Sequence, residues 1–237
     1  MPLAARVIPV MLVNGKQLVK GRQFSNERVV GHALQAARVH ASRSVDELMI
    51  LDVTATAQDR GPDLAMVEEL TEDCFIPVTV GGGIKTIEQI RMLLKVGADK
   101  VLLGAAAHGN SYFIRQAADK FGSQAIVVSV DKPSYGHFHD QAMRYAKAGA
   151  GEILLGDRER DGTMQGYNLH WIRMVSRHVS VPVIACGGCS GYEDMVNALR
   201  AGASAVGVGA FFQFEDATPR EAASFLAAEG ILAREQT

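Results

Sequence analysis

The chain is written twice. Displaced by 105 residues, "IPVTVGGGIKTIEQIRMLLKVGADKVLLGAA" (76–106) falls on "VPVIACGGCSGYEDMVNALRAGASAVGVGAF" (181–211) without a gap. Pro77 meets Pro182, Gly82 meets Gly187, Gly83 meets Gly188, Gly97 meets Gly202 and Gly104 meets Gly209. The same displacement sets Glu47 on Glu152 at the head of two further apolar runs, "ELMILDV" and "EILLGDR". A repeat this long is a duplicated half-protein, each half able to bury its apolar face only against the other.

Within each half, short apolar strands alternate with segments of helical period. The first half predicts strands over 6–13, 48–53, 77–80 and 100–103 and helices near 29–41, 62–70, 86–96 and 111–121. The second half predicts strands over 125–130, 153–155, 182–185 and 205–208 and helices near 139–147, 169–176, 192–200 and 219–228. Strands apolar on both faces, each followed by a helix, imply a parallel sheet with helices over it. Eight such units in two equal halves fit an α/β fold of the (β/α)8 TIM-barrel type, one domain over 1–237. An open doubly wound sheet is the competing architecture, but two equal halves supply no switch point for it.

Composition narrows the function. Of 237 residues 48% are hydrophobic, enough for one large core. Lys and Arg number 24 against 26 Asp and Glu, with no basic run, which removes the electrostatic footprint that nucleic acid or an anionic membrane requires. The apolar N-terminal run is too short to span a bilayer and lacks a small-residue cleavage site, so a cytoplasmic protein is expected. Cys74, Cys186 and Cys189 are an odd number, against a disulfide framework. The C-x-x-C spacing of Cys186 and Cys189 has no second pair and falls inside the repeated glycine turn, so neither metal nor redox cofactor is expected.

In a barrel of this kind the loops after the strands gather on one face and form the site. Gly81, Gly82 and Gly83 follow the third strand and Gly104 ends the fourth, while Gly187, Gly188 and Gly209 stand at the matching ends of the seventh and eighth. Without a Cβ, backbone N–H groups approach an oxyanion closely, so each half presents a phosphate cradle. The alternative is that these glycines only make tight turns. Trp171, Phe211 and Phe212 fall in packing patterns, and His137 and His139 near Asp131 suit a loop or helix start as well as a metal.

Several segments together resemble the cyclase subunit of imidazole glycerol phosphate synthase, of histidine biosynthesis: "RVIPVML", "LVKG", "DELMILDVTA", "PVTVGGGI", "GADKV", "GSQAIVVSVD", "GAGEILL", "RDGT", "GY" and "PVIACGG". The resemblance covers almost the whole chain. It implies a duplicated barrel that binds a bis-phosphorylated small molecule and receives ammonia along its axis from a glutaminase (HisH-like) subunit at the opposite face. The phosphates are then expected at Gly82, Gly83, Gly104 and Ala105, and at Gly162, Gly187, Gly188, Gly209 and Ala210. Arg6, Glu47, Lys100 and Glu152 match the family's ring of gate charges, at strand starts where opposed signs offset one another's burial; a mutually satisfied plug is the plainer reading. Asp99 matches a residue used at the glutaminase interface.

The pattern also breaks. The family's two catalytic aspartates end the first and fifth strands; Asp131 retains the second, and Leu12 stands where the first belongs. A leucine moves no proton, and acid–base assistance is worth about 10²–10⁴ in rate. Asp131 is therefore either a lone base or a polar strand end. Gly104-Ala105 replaces an asparagine-threonine pair, Gly156 and Cys186 stand where hydroxyl side chains are usual, and the segment after the fifth strand is short where the family has a covering loop. Lys20, Asp52 and Asp161 remain as supporting residues. Two functions follow: a barrel that relays ammonia from a glutaminase to a third, ammonia-accepting enzyme of the surface-polysaccharide type, or an active cyclase-lyase.

Overall fold

The structure is a computed structural model that describes residues 4–43, 45–72, 74–131 and 138–233. Its strands are β1 (Arg6–Asn14), β2 (Gln17–Arg22), β3 (Ser25–His32), β4 (Leu48–Asp52), β5 (Val78–Gly81), β6 (Lys100–Leu103), β7 (Ile126–Asp131), β8 (Glu152–Gly156), β9 (Val183–Cys186) and β10 (Ala205–Val208). Between and after them run α1 (Ala33–Ser42), α2 (Leu64–Glu72), α3 (Ile87–Lys95), α4 (Ser111–Phe121), α5 (Phe138–Ala148), α6 (Leu169–Ser176), α7 (Tyr192–Arg200), α8 (Ala210–Phe214) and α9 (Pro219–Ala228). The strand order is β10-β9-β8-β7-β6-β5-β4-β1, and β10 also pairs with β1, so the parallel sheet closes on itself. The closed eight-strand ring removes the open-sheet alternative.

Two apolar clusters follow from the pleat, which sends successive side chains to opposite faces. Val7, Met11 and Val13 of β1 pack outward against the helices, together with Leu48 and Ile50 of β4. Ile8 and Val10 of β1, Met49, Leu102, Val127, Leu154, Ile184 and Ala205 fill the barrel interior. The helices are set by their own signals: Thr86 and Gln89 form a capping box at α3, and Thr218 and Glu221 form another at α9, where Pro219 occupies the first turn. Trp171 and Phe211 are buried and Phe212 partly so, as their pattern predicts.

One expectation is corrected. Residues 29–32, read as the start of a helix, are the end of β3, and the helix begins at Ala33. The strand belongs to an antiparallel hairpin, β2–β3, which leaves the barrel from β1 with Leu12 opposite Val19. Its two register irregularities, at Leu18/Val19 and Lys20/Arg22, hide the alternation that would announce a strand. The hairpin tip, Gln23 and Phe24, has left-handed φ of 54° and 59° and is tied down by Gln23, whose N–H donates to the Asp161 carbonyl at 2.9 Å. The hairpin therefore lies against the loop after β8, at the edge of the barrel's upper face.

Candidate functional site

The lower face is a port of four charges. The Arg6 guanidinium donates to Glu47 at 2.7 Å and to Glu152 at 2.6 Å, and Lys100 Nζ donates to Glu47 at 2.8 Å and to Glu152 at 2.7 Å. Each cation thus touches both anions and each anion both cations. Thr79 on β5 adds its hydroxyl to Glu47 Oε1 at 2.6 Å. The Glu47 side chain is only 2% exposed, a burial an unpaired carboxylate would not survive. Burial pushes the Glu152 carboxyl up, but the hydrogen bonds and charges of Arg6 and Lys100 outweigh it and hold its pKa below the ordinary value. For Arg6 burial opposes the charge, and the two glutamates more than restore it. Beside the port, Asp99 accepts the Val78 N–H at 2.8 Å, which gives that carboxylate a structural task independent of any partner.

The upper face opens into a cavity of about 590 Å³. Its floor is a collar of leucines, Leu12, Leu51, Leu102 and Leu154, on β1, β4, β6 and β8. These strands also bring Arg6, Lys100 and Glu152 to the port, with Glu47 just before β4. Leu12 sits in the collar and packs against the interior cluster, so the position expected to hold an acid is apolar and filled.

Asp131 ends β7 at the cavity wall, opposite no second strand-end carboxylate at position 12. Ser129 Oγ donates to its Oδ1 at 2.9 Å. Burial on the protein side raises the Asp131 pKa, against the Ser129 hydrogen bond and the positive charges of Arg158 and His108. Gly156 leaves room for this carboxylate, since a Cβ there would lie 2.6 Å from Oδ1. Asp131 is thus placed, with a raised pKa, to hold or accept one proton at the cavity wall.

The supporting carboxylates are less available. Asp52 Oδ1 accepts the N–H groups of Thr54 and Ala55, each at 3.0 Å, while Arg60 lies 2.7 Å from Oδ2, so this aspartate holds its own loop. Asp157, 105 residues on, does the same in the second half, accepting from the N–H groups of Glu159 and Arg160 at 3.1 and 3.3 Å. Sequence reading missed Asp157, although the repeat offset points to it. Asp161 lines the mouth and pairs with Lys20 at 3.3 Å. Lys20 is buried between Asp161 and Gly209 and also lines a second recess with Arg22, Arg28 and Gly162. Arg158, Lys85 and Ser129 also line the mouth; no motif singled them out, but Ser129 and Arg158 lie two residues before Asp131 and after Gly156 respectively.

The two glycine turns are not equivalent. Gly82, Gly83, Gly104 and Ala105 line the mouth, whereas Gly187, Gly188, Gly209, Ala210 and Gly162 surround a void of about 10 Å³, room for one water. Both turns need glycine for packing: a Cβ on Gly82 would strike the Asp52 carbonyl oxygen, and one on Gly187 would lie 2.7 Å from that of Asp157. The tight-turn reading therefore accounts for Gly82 and Gly187 by itself, whereas a Cβ on Gly104 would meet nothing within 4 Å, and only the first half leaves an open cradle.

The cysteines are free thiols. Burial raises Cys186 to about 12 and Cys189 to about 11, which makes both poor nucleophiles. No cluster of three or more His, Cys, Asp or Glu side chains suited to a metal occurs among the described residues. His139 packs at a tilt of 47° against His178, 5.4 Å between ring centroids, while His137 and the short segment after β7 (132–137) lie outside the described residues. No helix among the described residues is long and apolar enough to cross a membrane.

Comparison with known proteins meets this geometry directly. The family described as "Histidine biosynthesis protein" matches residues 6–218. The chain is also 38% identical to "Imidazole glycerol phosphate synthase subunit HisF" of Dictyoglomus thermophilum, over 98% of this chain and 99% of that one. This chain belongs to the HisF family. In this chain the closed barrel carries a fully paired ring of charges at one end and a leucine at position 12 at the other.

Proposed function

We propose that this HisF-family chain is the ammonia-receiving barrel of a two-protein amidotransferase. A HisH-like glutaminase docks over the charged port, and ammonia passes up the apolar axis to the mouth. There it meets a phosphorylated small molecule held at the first-half cradle, or is handed to a third enzyme that amidates a sugar of the surface-polysaccharide type. Ammonia suits the axis because it is neutral and small, and the interior between port and mouth, from Ile8 and Val10 to Ile184, is apolar. The apolar interior excludes the ammonium ion, so only neutral ammonia passes beyond the ring of Arg6, Glu47, Lys100 and Glu152.

The observation that carries this reading is Leu12 in the collar beside a fully paired port. Ring closure and cleavage by a cyclase call for an acid and a base; of the two strand-end carboxylates at the mouth, Asp52 is engaged with Arg60 and its own loop, which leaves Asp131. A second reading, an active cyclase-lyase that turns the phosphoribulosyl ribotide and ammonia into imidazole glycerol phosphate and the carboxamide ribotide, draws support from the raised pKa of Asp131 in a cavity of sufficient size.

The test is one preparation assayed twice. With ammonium salt and the ribotide, turnover is expected to be negligible; with its glutaminase, glutamine hydrolysis is expected to rise severalfold on adding this chain. Rapid ribotide turnover that Asp131→Asn abolishes would establish the cyclase instead.

A further inference from the structure

Phe75 is the most exposed large hydrophobic side chain among the described residues, at 94%. Its neighbours fix it there: Cys74 and Ile76 are partly buried and pack on the main core, so the ring between them points outward. The Cys74 N–H donates to the Thr71 carbonyl at 3.1 Å, and the Pro77 carbonyl accepts the Leu48 N–H at 2.9 Å, so the backbone is held on both sides. Leu48 follows Glu47 of the port, and the Val78 N–H, three residues on from Phe75, is bonded by Asp99 beside Lys100. A bare aromatic on a fixed backbone therefore stands on the rim of the port.

The port itself offers a docking protein little. Its four charges already satisfy one another, and charges paired before a partner arrives gain little from its arrival. An interface of ordinary size takes in about 20–30 residues a side, so one centred on the port must spread onto the rim. Binding energy in such an interface concentrates in a few buried aromatic anchors, and an anchor already fixed in place loses little conformational freedom on docking.

The surroundings of Phe75 state what meets it. α2 ends at Glu72, three residues earlier, and a cleft of about 500 Å³ between α2 and α3 is lined by Glu68, Glu69 and Glu72 against Lys95. Lys16 pairs with Glu69, while Glu68 and Glu72 have no ion pair among the described residues. A second copy of this chain, meeting the same patch across a twofold axis, would set acid against acid. A different protein with basic side chains around an apolar pocket fits instead.

We propose that Phe75 is the anchor by which the glutaminase subunit binds, its ring entering an apolar pocket on that subunit whose basic rim meets Glu68 and Glu72. This role rests on the reading that a glutaminase docks over the port, and it puts the source of affinity beside the charges rather than in them.

Calorimetric titration of the full chain into a purified HisH-like glutaminase tests it, with glutamine hydrolysis followed in parallel. Phe75→Ser is expected to weaken binding by about thirtyfold or more, the scale of a hot-spot residue. At saturating concentration the same variant is expected to raise hydrolysis as far as the parent does, because the port is intact. Tyr112→Ser removes another exposed aromatic, in the first turn of α4 at the mouth end, and is expected to bind within about twofold of the parent. Phe75 is exposed, so its variant keeps the fold, which thermal unfolding verifies. Parent and Phe75→Ser binding equally well overturns the anchor and leaves the docking reading standing; no binding by the parent overturns both.

Discussion

The port and the mouth are the two ends of the same strands, and they treat polar groups in opposite ways. At the port, every charge meets two of opposite sign, and Thr79 supplies a further hydrogen bond. At the mouth, the corresponding inward positions on β1, β4, β6 and β8 are leucines, and of the strand-end carboxylates Asp52 on β4 is paired with Arg60 while Asp131 on β7 is not held by a cation within ion-pair distance among the described residues. The period-two pleat explains how one strand reaches both: β1 brings Arg6, Ile8, Val10 and Leu12 to the axis in turn. The difference teaches which end tolerates change. A mouth residue can become leucine because a leucine fits the collar and packs on the interior cluster, whereas removing one port residue strands its buried partners.

The largest expected effect follows from that asymmetry. Glu47→Ala removes the acceptor shared by Arg6, Lys100 and Thr79 and leaves two part-buried cations underpaired, so urea unfolding is expected to show a loss of about 3–5 kcal/mol. A loss under 1 kcal/mol would mean that the port is hydrated and its ring closes little.

A smaller effect separates the ends by sign. Glu152 has a lowered pKa in the folded state, so it contributes stability that is present above its unfolded pKa and lost as pH falls through the folded value. Asp131 has a raised pKa, so the folded state binds its proton more tightly and stability declines as pH rises from the ordinary carboxylate value through the folded one. Asp131→Asn is therefore expected to stabilise the protein at neutral pH, by no more than about 0.5 kcal/mol because water reaches that carboxyl, with the gain vanishing in acid. Glu152→Gln is expected to destabilise at neutral pH and to lose that effect in acid. Thermal midpoints of the two variants from pH 3 to pH 7 that run in parallel would erase the contrast.

The smallest effect calibrates the others. Lys16 and Glu69 pair at 2.5 Å on the outside, both well exposed, so Lys16→Ala is expected to shift stability by less than about 0.5 kcal/mol. A larger shift in the same unfolding experiment would show that pairing alone, without burial, accounts for the port.

Much of this was legible before any coordinates. The repeat dictated eight strand-helix units, and Glu47 and Glu152 at matching strand starts pointed to the port because a charge heading an apolar run ends up at a barrel's rim. The hairpin was not legible: its partners are set by antiparallel pairing across a turn, and its irregular register scrambles the period a reader looks for. The glycines were half legible. Their positions at strand ends could be read, but whether a turn opens to the mouth or closes on a single-water void depends on neighbouring loops such as that of Asp161 and Gly162. Lys20 shows the same limit, since only the hairpin's path decides that it pairs with Asp161 across the loop after β8.

The central claim is that the mouth lacks a proton-handling group at the end of β1, and Leu12→Asp tests it most directly. Ammonium-dependent ribotide turnover, measured beside the parent chain, is expected to rise by about 10²-fold or more, the ordinary worth of a placed acid or base. A parent chain that already turns over rapidly, with Leu12→Asp adding nothing, would contradict it.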